Sequence, residues 1–374
     1  MKRGDVMNFR QYAAAVGVSL FSPVTRLLPK AVLEPAGFSG WLAPLAALPL
    51  LLGLAWLIER LLTAEGRRVG LAEALIARLG PLAGRMAAGA LVVWLLFYGG
   101  VVLRFGSERI LSTVYPGSAL PLFLGGGLVL SLVFALGQIR WAGRSARVTA
   151  LFFALLLALV FAAALPSLHW DYLWPPEAVG WPALGRAALS AADVLSPWVW
   201  FGFLRDRVTE EGAPFPRAAR GLALACLLTA LFLLTTVGDL GPELALRQQF
   251  PFYVMVKNLR LLNLLERFDA VIVVLWMMTD HVLLGMLLLS ASAALQRLTG
   301  RARRETWAAL CALGMLLCAV FCAPNAFRLA WYSEKLIPAV NLCLAFVFLP
   351  LTCLLPPKKE NFRFSKKGID KAGE

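Results

Sequence analysis

The chain has 374 residues, 60% apolar and 16% charged, with a formal net charge of +14 and a mean hydropathy of +0.73. That balance excludes a soluble globular domain, and apolar runs of about 18 or more residues recur along nearly the whole length, as in one integral membrane domain. The charge does not point to nucleic acid. Most of the 36 Lys and Arg fall on the termini and on one set of alternate connections, the positive-inside pattern that puts both termini in the cytoplasm.

Hydropathy predicts ten spans, at 9–33, 41–62, 86–110, 120–138, 146–165, 184–205, 217–238, 267–296, 306–323 and 334–355. The opening "MKRGDVMNFRQYAAAVGVSL" has the charge and apolar run of a signal peptide. It continues through Pro23 and Arg26 into a multi-spanning chain, so it is read as the first span. Span one carries "VSLFSPVTRLLP", where Ser22-Pro23 is expected to break the helix, because proline removes a backbone donor and clashes with the preceding turn. Arg104 and Glu108, spaced i, i+4 near the outer end of span three, read as a local ion pair. "GGG" at 125–127 in span four reads as close helix packing or a bend. The outer connection 166–183 has no Lys or Arg but carries Trp170, Tyr172, Trp174 and Trp181, residues that favour the headgroup layer. Span six repeats the signal of span one in "DVLSPWVWFG", with Ser196-Pro197 as the break. The outer connection 239–265 holds a partly amphipathic stretch after Pro251, read as interfacial or lid-like. All six cysteines (Cys226, Cys311, Cys318, Cys322, Cys343, Cys353) lie in apolar spans without a C-x-x-C pair, so neither a disulfide framework nor a zinc site is indicated.

Two breaks at equivalent positions of two five-span halves point to inverted repeats whose interrupted helices build a mid-membrane site. The expected fold is therefore all-α, with about ten spans in a 5+5 inverted repeat and helices one and six broken. The first repeat covers about 9–165, the second about 184–355, and 356–374 form a cytoplasmic basic tail. Counting ~1.5 Å per residue across a ~30 Å core brings Ser19 and Ser22 of span one to the midplane, with Phe97 and Tyr98 of span three. Ser196 of span six and Thr279, Asp280 and His281 of span eight fall at the same level. Asp280 with His281 reads either as a proton-handling or coupling element or as a satisfied packing pair. Arg26 and Asp193 lie one turn outward of their breaks and are expected to pair as an outer gate.

Three stretches carry a family resemblance. "LRFGSERILSTVYPGSALPLF" supplies Arg104, Phe105, Glu108 and Pro116. "LGQIRWAGRSARVTALFF" has a short turn ending in arginine, and "NLLERFDAVIVVLWMMTDHVLLGMLLLSASAALQRL" supplies Glu266, Arg267, Asp269 and Trp276. With its span order and loop pattern, the chain resembles the endospore germination permeases. These are the B subunits of nutrient germinant receptors, within the amino acid/polyamine/organocation transporter superfamily, whose fold is LeuT-like. The resemblance implies an amino-acid-like germinant as ligand, an A-type subunit and a lipoprotein C-type subunit as partners, and residence in the cell membrane or spore inner membrane. Where the family has a glycine-threonine unwinding element, this chain has Gly17, Ser19 and Ser22-Pro23, and span six is tryptophan-rich at Trp198 and Trp200. The candidate ligand-binding residues are Gly17, Ser19, Ser22, Tyr98, Ser196, Trp200 and Phe201. Half-helix N–H groups would hold a carboxylate, and exposed carbonyls with Ser22 or Ser196 an ammonium. The alternative is a proton- or sodium-coupled amino acid transporter with Asp280 or Asp193 as its ion site. An enzyme is not indicated, since no H-E-x-x-H, nucleophile elbow or phosphate-cradling glycine loop occurs and His169 and His281 are isolated. No cofactor is expected.

Overall fold

The computed structural model describes residues 6–64, 67–173, 180–209, 214–259, 269–300 and 303–357. Ten long helices follow one another: α1 (Phe9–Ala36), α2 (Ala43–Leu61), α3 (Pro81–Thr113), α4 (Leu120–Leu136) and α5 (Ile139–Ala164). The second half has α6 (Trp181–Leu195), α7 (Pro214–Leu240), α8 (Asp269–Thr299), α9 (Arg304–Cys322) and α10 (Ala326–Leu354). Most are long and apolar enough to cross a bilayer alone; α4 has 17 residues, about 25 Å, a little under the hydrocarbon thickness. The chain is an integral membrane protein of the all-α class.

The helices interlock across the two halves. The most extensive contacts pair α1 with α6, α3 with α8 and α2 with α7, each helix with the one five places on. Small residues let the backbones approach: a Cβ on Gly100 of α3 would come within 2.5 Å of Cys318 Cβ on α9 and 2.8 Å of Met315 O. Of the three glycines at 125–127, only Gly127 meets a neighbour, Leu103 at 3.2 Å, so tight packing holds for one of them and not for the run.

Non-helical backbone is confined to the helix ends. The start of α1 is fixed by a capping box, in which Asn8 Oδ1 accepts from the Gln11 N–H at 2.9 Å and the Asn8 N–H donates to Gln11 Oε1 at 3.0 Å. Just before it, β1 (Met7–Asn8) pairs in parallel with β4 (Val208–Thr209), which tethers the start of span one to the end of span six. Strands β2 (Thr63–Ala64) and β3 (Arg67–Arg68) form a small antiparallel turn after α2. Helix α10 alternates ordinary turns with wider π-type turns at Tyr332–Leu336 and Cys343–Phe348, and α9 ends in another at Cys318–Cys322.

Two connections differ from the sequence reading or complete it. In the 239–265 connection, Pro251–Asn258 is helical and buries Phe252 between Phe21 and Phe232, so this part packs into the bundle rather than lying on its surface. The remainder, 260–265, lies outside the described residues, as do Trp174, Glu266, Arg267 and the tail from 358. Trp170 and Trp181 of the aromatic connection are 68% and 82% exposed, as residues directed at headgroups would be.

Candidate functional site

The first span corrects the sequence reading: α1 is helical without interruption through Ser22-Pro23, although Pro23, Pro29 and Pro35 all lie inside it. Pro23 removes one amide donor, the one that would reach Ser19 O, and local hydroxyls compensate nearby. Thr25 Oγ1 lies 3.1 Å from Phe21 O and 3.2 Å from Ser22 O, and Ser19 Oγ donates to Ala15 O at 2.6 Å. Of the candidate ligand hydroxyls in this span, Ser19 therefore serves the helix's own carbonyl, as does the neighbouring Thr25. The second break does form. α6 stops at Leu195, and Pro197–Arg207 continues as a 3-10 helix of 11 residues, well beyond the usual three or four. Its first bonds run i to i−3: Ser196 N–H to Asp193 O and Val199 N–H to Ser196 O, both 3.0 Å, while Ser196 Oγ donates to Asp193 O at 2.8 Å.

On the α6 side of that break, α1, α6 and α10 enclose a cavity of about 260 Å³. Both signs of charge line it: Arg26, Lys30 and Glu34 from α1, Asp193 from α6, and Glu334 and Lys335 from α10. The expected Arg26–Asp193 ion pair is not among the salt bridges of the described residues. The Arg26 guanidinium instead lies over the Phe105 ring, 4.2 Å from its centroid, and Asp193 lies near the side chain of Asn341, whose Oδ1 accepts from Trp94 Nε1 at 3.1 Å. A cation over an aromatic face keeps its charge stabilised without spending its N–H groups. Arg26 Nε, Asp193 Oδ1 and Ser333 Oγ are buried with no hydrogen-bond partner among the described residues. Unpaired donors and acceptors of opposite charge on one cavity wall are costly in a membrane interior, and a ligand carrying both charges would satisfy them. Across the mouth of the cavity, Lys30 Nζ pairs with Glu334 Oε1 at 2.9 Å with both side chains exposed.

Beneath the cavity lies a cluster that sequence reasoning missed. Arg109, 2% exposed, donates through Nη2 to Asp280 Oδ2 and through Nη1 to Ser22 Oγ at 3.5 Å, and its guanidinium sits 4.3 Å above the Trp276 ring. Trp276 Nε1 in turn donates to Thr25 Oγ1 at 2.9 Å. These contacts join α1, α3 and α8 at one level. The partner of Asp280 is thus Arg109, and the Asp280–His281 packing pair is corrected accordingly. His281 lies with Asp280 on the wall of a lateral cavity of about 430 Å³ between α3, α4 and α8. Tyr98, 1% exposed, lies within electrostatic reach of Arg26, Asp193 and Asp280. Arg104 Nε donates to Glu108 Oε1 at 2.7 Å one turn away.

The other sequence candidates are placed elsewhere. Gly17 lines an inner cavity of about 110 Å³ together with Trp198, Gly202 and Glu59, on the opposite side of the Arg109 cluster. Trp200 and Phe201 are fully buried in the core and line none of these three cavities. At the end of the bundle where the 3-10 segment finishes, the helices are tied by ions. Arg297 of α8 pairs with Asp206 and Glu73, Arg205 pairs with Glu59 at 3.2 Å, and Arg207 Nη2 donates to Gln296 Oε1 at 2.8 Å. Among the described residues no group of three or more His, Cys, Asp or Glu is placed to hold a metal ion.

A bundle whose halves interlock one-to-six, two-to-seven and three-to-eight, with a charged cavity beside an unwound sixth span, has the architecture of a LeuT-type permease. A solved structure, that of MhsT in complex with L-phenylalanine, superposes with a TM-score of 0.65 at 15% identity, covering 98% of this chain and 97% of that one. The sequence profile of the spore germination protein family, the spore permeases, matches residues 14–327, and the chain belongs to that family. No curated protein sequence matches it.

Proposed function

We propose that this permease-like membrane protein is the ligand-binding subunit of a nutrient germinant receptor. A small zwitterion, an amino acid or a close analogue, enters from the outer side and occupies the cavity between α1, α6 and α10. Its carboxylate meets Arg26, its ammonium meets Asp193, and the ring of Phe105 holds Arg26 in place. Occupancy is read by A-type and lipoprotein C-type partner subunits as a change in how the helices pack, and the ligand shifts that packing only by its differential affinity for the two arrangements. The observation that carries this reading is the pair of buried, opposite and mutually unbonded charges on one cavity wall. The phenylalanine bound to the structural neighbour MhsT supports the ligand class.

The rival reading, a proton- or sodium-coupled transporter, needs a carboxylate that is free to take an ion. Asp280 is committed to Arg109, which favours sensing over coupling at that position. The test is equilibrium binding of a panel of radiolabelled amino acids to the purified protein, followed by uptake into proteoliposomes. Arg26→Gln and Asp193→Asn each lower affinity by about ten- to hundredfold, the value of a hydrogen bond to a charged group. Unaltered affinity in both variants would overturn the site. Concentrative, gradient-driven flux would overturn the sensing assignment in favour of transport.

A further inference from the structure

A further cavity lies at the opposite end of the bundle from the ligand cavity. It has a volume of about 660 Å³ and is lined by Arg10 and Asn8 at the start of α1, Arg147 of α5, Thr209 of β4, and Arg217 and Arg220 of α7. Among the described residues none that lines it is acidic, and none of the four arginines pairs with a carboxylate. Glu210 and Glu211, next in sequence to Thr209, lie outside the described residues. Four guanidinium groups converging on one cavity repel one another unless an anion sits among them, and arginine's planar fork suits phosphate oxygens.

The surroundings distinguish a lipid from a soluble anion. Above the cavity α5 exposes Val148, Leu151, Phe152 and Leu155 as an apolar stripe, and Trp141 on the same helix is 66% exposed, as interfacial tryptophans are. Phe9 and Ala13 supply an apolar wall. A headgroup in the cavity would leave its acyl chains along α5. We propose that this cavity binds the phosphate headgroup of an anionic lipid of the inner leaflet, and that the bound lipid braces the start of span one. Basic pockets between helices on the cytoplasmic side are suited to this role. The bracing follows from what the cavity touches. Asn8 and Thr209 are partners in the β1–β4 bridge, Thr209 Oγ1 donates to Met7 O at 3.2 Å, and α5 meets α1 where a Cβ on Gly143 would lie 2.9 Å from Gln11 Cβ.

The experiment titrates phosphatidylglycerol and phosphatidylcholine into the full-length protein in neutral detergent, with bound lipid counted by native mass spectrometry. Phosphatidylglycerol binds the more tightly. Replacing Arg147 and Arg217 together by Gln weakens it by about 25-fold, at about fivefold per cation near the membrane surface. Arg147→Lys with Arg217→Lys keeps most of the affinity, and the melting temperature in phosphatidylcholine verifies that each variant folds. Arg140→Gln with Arg144→Gln removes the same charge from α5 residues outside the cavity and leaves affinity nearly unchanged. The proposal is overturned if the two lipids bind equally, if the Arg140/Arg144 pair loses as much affinity as the cavity pair, or if millimolar inorganic phosphate displaces the lipid. The outcome is independent of amino acid binding at the outer cavity.

Discussion

Arg109 is the residue on which three spans converge, and its cost is that of burying an ion pair in a membrane. Desolvating two charges is expensive, and removing one partner leaves the other uncompensated. Arg109→Leu therefore destabilises the protein by about 3–5 kcal/mol, as does Asp280→Leu, whereas Arg109→Met combined with Asp280→Leu recovers most of the loss. Thermal or chemical unfolding in detergent measures the cycle, and strictly additive losses would show that the pair is not coupled. Gly106 belongs to the same unit: a Cβ there would lie 2.7 Å from Asp280 Oδ2, so Gly106→Ala forces the carboxylate away from Arg109. Gly17→Ala behaves oppositely. No atom lies within 4 Å of its added Cβ and the backbone is helical, so the variant gains up to about 1 kcal/mol from helix propensity. Arg109 could have been found by the rule that drew attention to Asp280, since an ionisable group inside a span needs a partner. It was obscured because Arg104 and Glu108 complete an i, i+4 pair in the same helix and satisfy the local pattern first.

At the scale of the element, the two Ser-Pro signals have different outcomes. In α6 the proline follows a residue whose hydroxyl and amide both turn back to Asp193 O, and the chain leaves α-helical geometry for 11 residues. In α1 the same dipeptide is followed by Thr25, whose hydroxyl bridges two carbonyls, and the helix carries on. Sequence spacing marked both prolines but did not reveal which helix would continue; Thr25, just after the first, is held by Trp276 from 251 residues away, a contact that no local pattern reports. Pro23→Ala restores a donor toward Ser19 O in a segment that is already helical. Hydrogen exchange at residues 20–27 slows in that variant and the fold is retained; faster exchange there would contradict the continuous helix.

Across the whole molecule, span number and order were legible because hydropathy reports them directly, whereas the pairing of helices and the cavities were not. Arg26 and Asp193 line one cavity, yet no ion pair joins them among the described residues, and the Arg26 guanidinium lies over a ring from α3 instead. The last residues of the sixth span are tied to α8 by Arg297, which bridges to both Asp206 and Glu73. Arg297→Gln frees the end of the sixth span, and hydrogen exchange across 197–207 rises by about tenfold or more, the equivalent of one lost charged hydrogen bond. Exchange unchanged from the parent protein would show that other contacts hold that end shut.

The wide turns of α10 set a mechanical property of the last span. Each accommodates one residue more than a regular turn, and shifting the phase of a helix by one residue rotates everything beyond it by about 100°. Asn341 stands between the two, its Oδ1 accepting from Trp94 Nε1. If one bulge relaxed while the other tightened, the segment between them would turn like an indexing shaft, releasing that grip with the helix ends stationary. The span could thereby pass a twist along its axis without being dragged through the bilayer.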